Sequence, residues 1–449
     1  MKSSTMIASN LRTNLTRVAA AATLLLAATA SAQAATAPQS AAPAATAAAS
    51  AQEQVRQLYL TLLGREPDAG GLQYWTQAVS RGVSLATVEA EIKRSAEYTK
   101  RNPAPVAGPS IPATPYNYYV SPNGSDSAAG TKAAPFKTLA RAAQVATTYA
   151  GGIRTTASGT ASNRIYWVST TKWGAKIVPP ANSTNKTAWD NRGNYVSIIG
   201  FDVDGSKIGK GTKWVLGIYT GGSYNVIEGN RVHHMATTIP CNSAGGSAIG
   251  VDSYYKGVKG DVIGNVVHDI GPAGCTYVQG IYHSTSGTIK NNVVYRVGSA
   301  AIHLWHDATD VQIVNNTVSS SVFGIIVGGG DFYFTKAGAN NVHVHNNIVY
   351  DNKYGISEQG TTGKGNTYKN NLVTKNTTYN FQLRNGLTHT GTISSEPLFA
   401  GYSRTAATPD YKLTASSPAV GRGIATYAPK TDIDGKARGS SIDLGAYQR

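Results

Sequence analysis

Between Gln279 and Val318 the chain carries Tyr282, His283, Tyr295, Arg296, His303, Trp305, His306 and Asp307, its densest run of aromatic, imidazole and carboxylate side chains. A neutral imidazole or a phenolate removes a proton, a phenol returns one, and a guanidinium neutralises a carboxylate. Tryptophan adds an apolar face with a polar edge, on which a sugar ring can stack. His283, His303, His306 and Asp307 have the composition of a metal site, but no confirming spacing motif accompanies them.

This run is embedded in an internal repeat. A strand ending in Asn and followed by an apolar pair recurs at Asn230, Asn265, Asn292, Asn316, Asn347 and Asn371, with spacings of 35, 27, 24, 31 and 24 residues. Between these positions lies a second strand that opens with a small residue and an aliphatic, at Gly217, Ala248, Gly280, Ala301, Gly324 and Gly355. Two aligned signals per unit describe a stacked coil of eight to ten rungs. Asn suits a left-handed rung corner, and its amide can bond the Asn of the next rung.

Alignment of the second strands on Ile218, Ile249, Ile281, Ile302, Ile325 and Ile356 sends these inward. It places Tyr219, Gly250, Tyr282, His303, Ile326 and Ser357 in one outward column, with Asp252, Ser284 and Trp305 two residues further on. A second column follows the Asn positions: His233/His234, His268/Asp269, Tyr295/Arg296, Ser319/Ser320 and Tyr350/Asp351. Within it, turn formation is the default reading. Arg296, whose loop leads into the strand of His303, is the cation best placed to meet a carboxylate, with Lys256 and Arg384 as alternatives. Cys241 and Cys275 fall in the same loop one rung apart, and stacked strands, about 4.8 Å apart, are within disulfide reach.

Composition agrees with a coil. Gly (48) and Tyr (25) are abundant and charged residues make up only 14%, which suits short strands and turns rather than amphipathic helices. Residues 1–34 read as a secretory signal peptide, with Lys2, Arg12 and Arg17 before an apolar run too short to span a bilayer. Removing them lowers the net charge from +16 to +13. For an exported, strongly basic chain the expected polyanion is an acidic polysaccharide and not nucleic acid. The product is expected to be secreted or periplasmic, monomeric and without a membrane span.

Residues 35–50 are rich in Ala, Pro and Thr and read as a spacer, 51–101 as a small helical domain, and 102–115 as a Pro-rich linker. The string LYLTLLGREPDAGGLQYW, Leu58 to Trp75, resembles a helical domain of unassigned function common in secreted bacterial proteins, with Arg65 and Asp68 as turn and capping groups. From Tyr116 a strand, a Gly/Ser/Asp turn and a helix beginning at Pro135 resemble the entry and cap of right-handed parallel β-helix proteins. The closing motifs, Asp410 to Ala419 and Asp432 to Tyr447, resemble the end of many bacterial β-helices. Asp432, Asp434 and Asp443 raise calcium as a cofactor, but the EF-hand pattern is incomplete, and turn and cap packing is favoured.

Together these features resemble the pectate-lyase-like superfamily over residues 116–449. The resemblance implies an all-β right-handed parallel β-helix and an enzyme acting on uronic-acid polysaccharides. The expected activity is a polysaccharide lyase working by β-elimination, with Tyr282, His303, His306 and Arg296 as catalytic groups. Trp305, Tyr219, Asp252, Lys256, His283 and Arg384 are expected to contact substrate, and Cys241–Cys275 to form a disulfide. The alternatives are a glycoside hydrolase using Asp252, Asp307 and Glu358, and a non-catalytic glycan-binding protein. The R-x-P-x-x-R of calcium pectate lyases and the polygalacturonase series are missing, and His306-Asp307 matches only the tail of the D-P-H-D of alginate epimerases. An acidic exopolysaccharide other than pectate is therefore expected.

Overall fold

A computed structural model describes residues 42–63, 65–95, 97–98, 119–139, 141–142, 153–179, 186–206, 214–237, 241, 245–272 and 275–449. The expected signal peptide, the Pro-rich linker and the later part of the capping helix lie outside these residues. The described residues form two compact units, one of residues up to 56 with 67–88, the other of 57–66 with 89–449.

Among the described residues, three helices, Ala42–Leu63, Ala69–Ser80 and Leu85–Arg94, precede the strands. The first starts inside the stretch read as a spacer, because Ala is the strongest helix former and Pro43 falls in the first turn, where its missing N–H is tolerated. Asp68 caps the second helix by accepting from the Gly71 N–H at 2.8 Å. Arg65 grips both carboxylate oxygens of Glu97 at 2.6 Å. No helix among the described residues is long and apolar enough to cross a membrane.

From Ile153 onward the described residues wind through three parallel sheets of nine, nine and eight strands, a parallel β-helix. The first sheet includes Leu216–Thr220, Gly246–Val251, Val278–His283, Ala300–Leu304, Phe323–Gly329 and Tyr354–Gly360; the third includes Arg231–Met235, Val266–Ile270 and Val293–Val297. Ile218, Ile249, Ile281, Ile302, Ile325 and Ile356 are consecutive Cα partners and wholly buried, so they form one stripe of the core. The next residues form the outward column in the expected register, because side chains alternate along a strand.

The Asn ladder is continuous from Asn230 to Asn371. Each backbone N–H donates to the Oδ1 of the next rung's Asn at 2.9 Å. The left-handed residue at this corner is the preceding one: Gly229, Gly264, Asn291, Asn315, Asn346 and Asn370 all have positive φ. This corrects the expectation that the ladder Asn bends the chain; its neighbour bends, and its own amide is left to bond. Cys241 and Cys275 form a disulfide, with Cα atoms 5.2 Å apart.

After the last rungs the chain returns over the third sheet. Tyr411 Oη lies 2.6 Å from Ser319 Oγ, Tyr402 Oη 2.9 Å from Ser320 Oγ, and Asn291 Nδ2 donates to Thr431 O at 2.7 Å. Asp432 accepts the N–H groups of Asp434, Lys436 and Gln448, and Asp443 those of Gly421 and Arg449. These carboxylates build turns of the closing segment.

Candidate functional site

Tyr282 and His303 are Cα partners on neighbouring strands of the first sheet. Their ring centroids are 5.4 Å apart with planes at 88°, and Tyr282 also lies 5.9 Å from the His306 ring. Trp305 is 5.6 Å from His303. The fold thus brings Tyr282, His303, Trp305 and His306 together. Burial, with the His306 ring adding, lowers the His303 pKa to about 3, so the imidazole is neutral. Its Nδ1 is shut off from water without a hydrogen-bond partner. Burial also pushes Tyr282 well above the usual phenol range, keeping it a proton donor rather than a phenolate.

The loop after Phe323–Gly329 supplies a residue that the sequence reading missed. The Asp307 carboxylate accepts the N–H groups of Tyr333, Phe334 and Thr335 at 3.1, 3.3 and 2.8 Å. So anchored, the loop sets Tyr333 Oη 2.7 Å from His306 Nε2, while His306 Nδ1 lies 2.7 Å from the Asp331 carbonyl. A carbonyl only accepts, so Nδ1 carries hydrogen, and Nε2 of the neutral ring accepts from the Tyr333 hydroxyl. The Trp305 ring rests on glycine backbone: a Cβ at Gly328 or Gly330 would lie 2.8 or 2.7 Å from it. The run Gly328-Gly329-Gly330 before aromatic residues, which interrupts the repeat, was the available signal.

In the other direction along the sheet, Asp252 accepts from Tyr219 Oη at 2.9 Å, Ser284 Oγ at 2.8 Å and the Tyr254 N–H at 3.1 Å. Burial and the Asp252 carboxylate raise the Tyr219 pKa far above its ordinary value. The Arg192 guanidinium lies 3.5 Å from the Tyr255 ring centroid and 4.8 Å from that of Tyr219. Lys256 is exposed on the neighbouring turn. Arg384 donates to Gly360 O at 2.8 Å, and a Cβ at Gly360 would come 2.8 Å from the Trp305 ring, so Arg384 stands at the Trp305 end of the groove.

Two expected residues are elsewhere. His283 is wholly buried with Nε2 2.8 Å from Gly260 O, because alternation turns it to the opposite face from Tyr282. It neither lines the groove nor converges with His303, His306 and Asp307. Arg296 belongs to the third sheet, where it binds Asp269 at 2.7 and 2.8 Å and donates to Ala406 O at 3.0 Å. Its strand and that of His303 follow one another in sequence but occupy different faces of the coil.

Another trio has metal-ligand composition: His233, His234 and His268, with nitrogens within 4.8 Å. The His233 and His268 rings are stacked with planes 6° apart, so their in-plane lone pairs run side by side instead of meeting at one point. One nitrogen of each also engages Asp202 or Asp269. This arrangement fits a stacked ladder better than a metal centre. The hydrolase candidates are saturated as well: Asp307 and Asp252 as above, and Glu358 by Asn366, Tyr368 and the Arg384 N–H.

A family model described as a domain of unknown function, DUF4214, matches residues 32–102. A search of curated proteins finds no match. Among solved structures, the chain is similar to pectate lyase Pel9A, with 16% identity, 74% of this chain and 96% of that chain covered, and a TM-score of 0.47. It is also similar to a rhamnogalacturonan lyase (14% identity, 67% and 96% covered, TM-score 0.39). A third is the GH136 lacto-N-biosidase from Eubacterium ramulus (12%, 68% and 67%, TM-score 0.38). Likeness this remote carries no argument about chemistry; the coil rests on the strand pairing itself.

Proposed function

We propose that this protein is an exported polysaccharide lyase that cleaves an acidic, uronate-containing polysaccharide by β-elimination in the groove on the first sheet. The observation that carries the reading is the contact of His303, a neutral imidazole, with Tyr282, a phenol held protonated, beside the Tyr333–His306 pair. His303 takes the C5 proton and Tyr282 delivers one to the leaving oxygen. A base lowered to about 3 in the empty groove is weak. The substrate's own carboxylate, arriving beside the ring, favours the imidazolium and strengthens the base as it binds. Trp305 offers the stacking face. With Arg296 elsewhere, the cations further along the groove meet the negative charge. The saturated state of Asp252, Asp307 and Glu358 speaks against hydrolysis, which needs a carboxylate pair free to exchange protons. The disulfide suits an oxidising compartment.

Incubation with acidic polysaccharides is expected to give products absorbing in the ultraviolet from a new C4–C5 double bond, and Tyr282→Phe and His303→Ala to lose them. New reducing ends without that absorbance, or binding with no change in polymer size, would overturn the reading.

A further inference from the structure

We infer that the cavity lined by Arg154, Arg192, Tyr255 and Lys256 is a subsite for the carboxylate of an acidic sugar residue; this rests on the groove being the substrate site. The cavity measures about 400 Å³, within the range of small-ligand sites, about 300–1,000 Å³. Its remaining lining is Asn194, Ser223 and glycines, with no carboxylate. Asp190 pairs with Arg192 at 2.6 Å and lies 3.6 Å from Arg154, while Lys256 has no ion pair among the described residues. The charged side chains of the lining are all basic, and the Arg192 Nη1 is buried without a hydrogen-bond partner.

The site is built, not incidental. The Tyr255 face holds the Arg192 guanidinium in one plane. Glycines keep the floor clear: a Cβ at Gly221 would meet Tyr255 at 2.9 Å and Arg192 Nη1 at 3.2 Å, and one at Gly257 would meet Gly221 O at 2.5 Å. Lys256 adopts φ 64°, a conformation rare for a residue with a Cβ, at the tip of this turn. Asp190 occupies the Nε–Nη2 side of Arg192, so an incoming carboxylate is left the Nη1 side and the Lys256 ammonium, and the exposed Tyr255 ring is available to the pyranose. Arg192 packs on Tyr219, which precedes Tyr282 by two rungs in the outward column, roughly 10 Å. The subsite would therefore hold a uronate about two residues from the bond that breaks.

The test uses the full chain carrying Tyr282→Phe, titrated calorimetrically with hexagalacturonate, hexamannuronate and their carboxyl-reduced counterparts. Adding Lys256→Gln, on an exposed turn, is expected to weaken binding of an acidic hexamer about tenfold, and carboxyl reduction to weaken it at least as much and to abolish the sensitivity to Lys256. Arg192→Lys is expected to act in the same direction, with circular dichroism confirming the fold. Acidic hexamers that bind equally well with or without Lys256, that bind no better than the reduced ones, or that do not bind at all would overturn the subsite. The two readings separate cleanly. Lys256-dependent binding of acidic hexamers by a protein with intact Tyr282 that makes no unsaturated product upholds the subsite and removes the lyase. Unsaturated product with KM unmoved by Lys256→Gln does the reverse.

Discussion

The outer faces of the first and third sheets carry the same kinds of side chain in opposite states. On the third, His233, His268 and Tyr295 stack face to face, and Asp202 and Asp269 are each gripped by an arginine and a histidine. Burial alone would push both carboxyls up, yet the hydrogen bonds from Arg231 and His233 to Asp202, and from Arg296 and His268 to Asp269, hold them well below the usual range. The returning C-terminal chain then covers Tyr295 with Tyr411. On the first sheet, by contrast, the His303 Nδ1 has no partner, and Tyr254, Tyr255 and Phe334 remain 57%, 52% and 54% exposed. Titratable residues mark a candidate site only where the fold leaves their hydrogen-bonding capacity unspent; where every partner is internal they are structure.

The largest effect should separate the faces by activity. Tyr282→Phe and His303→Ala are expected to lower kcat for the unsaturated product by roughly 100-fold or more, with the thermal midpoint unmoved. Tyr333→Phe should follow, at about tenfold, because His306 then has no phenol to orient. On the third sheet, Asp269→Ala should cost about 1–3 kcal/mol in urea unfolding, since Arg296 is left half-buried without its carboxylate, while activity per folded molecule is retained. An activity loss as large as that of His303→Ala would erase the contrast.

Acid sharpens the same comparison. Asp202 and Asp269 have folded pKa values below their unfolded ones, so their stabilisation is present above about pH 4 and is lost as pH falls further. The urea midpoint of the wild type should decline below about pH 4, and less steeply in Asp269→Ala; parallel declines would sink this attribution. The smallest effect is expected at Arg404, which lines a cavity of about 480 Å³ at the edge of the third sheet and pairs with Asp351. Arg404→Gln should change stability by under about 1 kcal/mol and leave kinetics untouched, although that cavity is the larger of the two.

Much of the scaffold was legible because a coil repeats local rules. The period set the strands, alternation set the column of Tyr219, Tyr282 and His303, and the shared loop of Cys241 and Cys275 set their pairing. Misplacements came where a side chain's face depended on a single residue's phase or on a sheet change. His283 is one step out of phase with Tyr282, and Arg296 lies beyond the turn into another sheet. Tyr333 and Arg192 gave no repeat signal, since one sits in an insertion and the other at the end of an early strand whose unit is weakly marked.

Thus the sequence by itself determined the coil, its register and its ladder, because parallel stacking demands recurring corners and recurring aliphatics that any reader can align. Only the tertiary structure decided which titratable groups are free to act. Saturation depends on atoms brought from residues far apart in the chain: the Asp269 grip on Arg296, the closing segment over Tyr295, and the loop that delivers Tyr333 to His306.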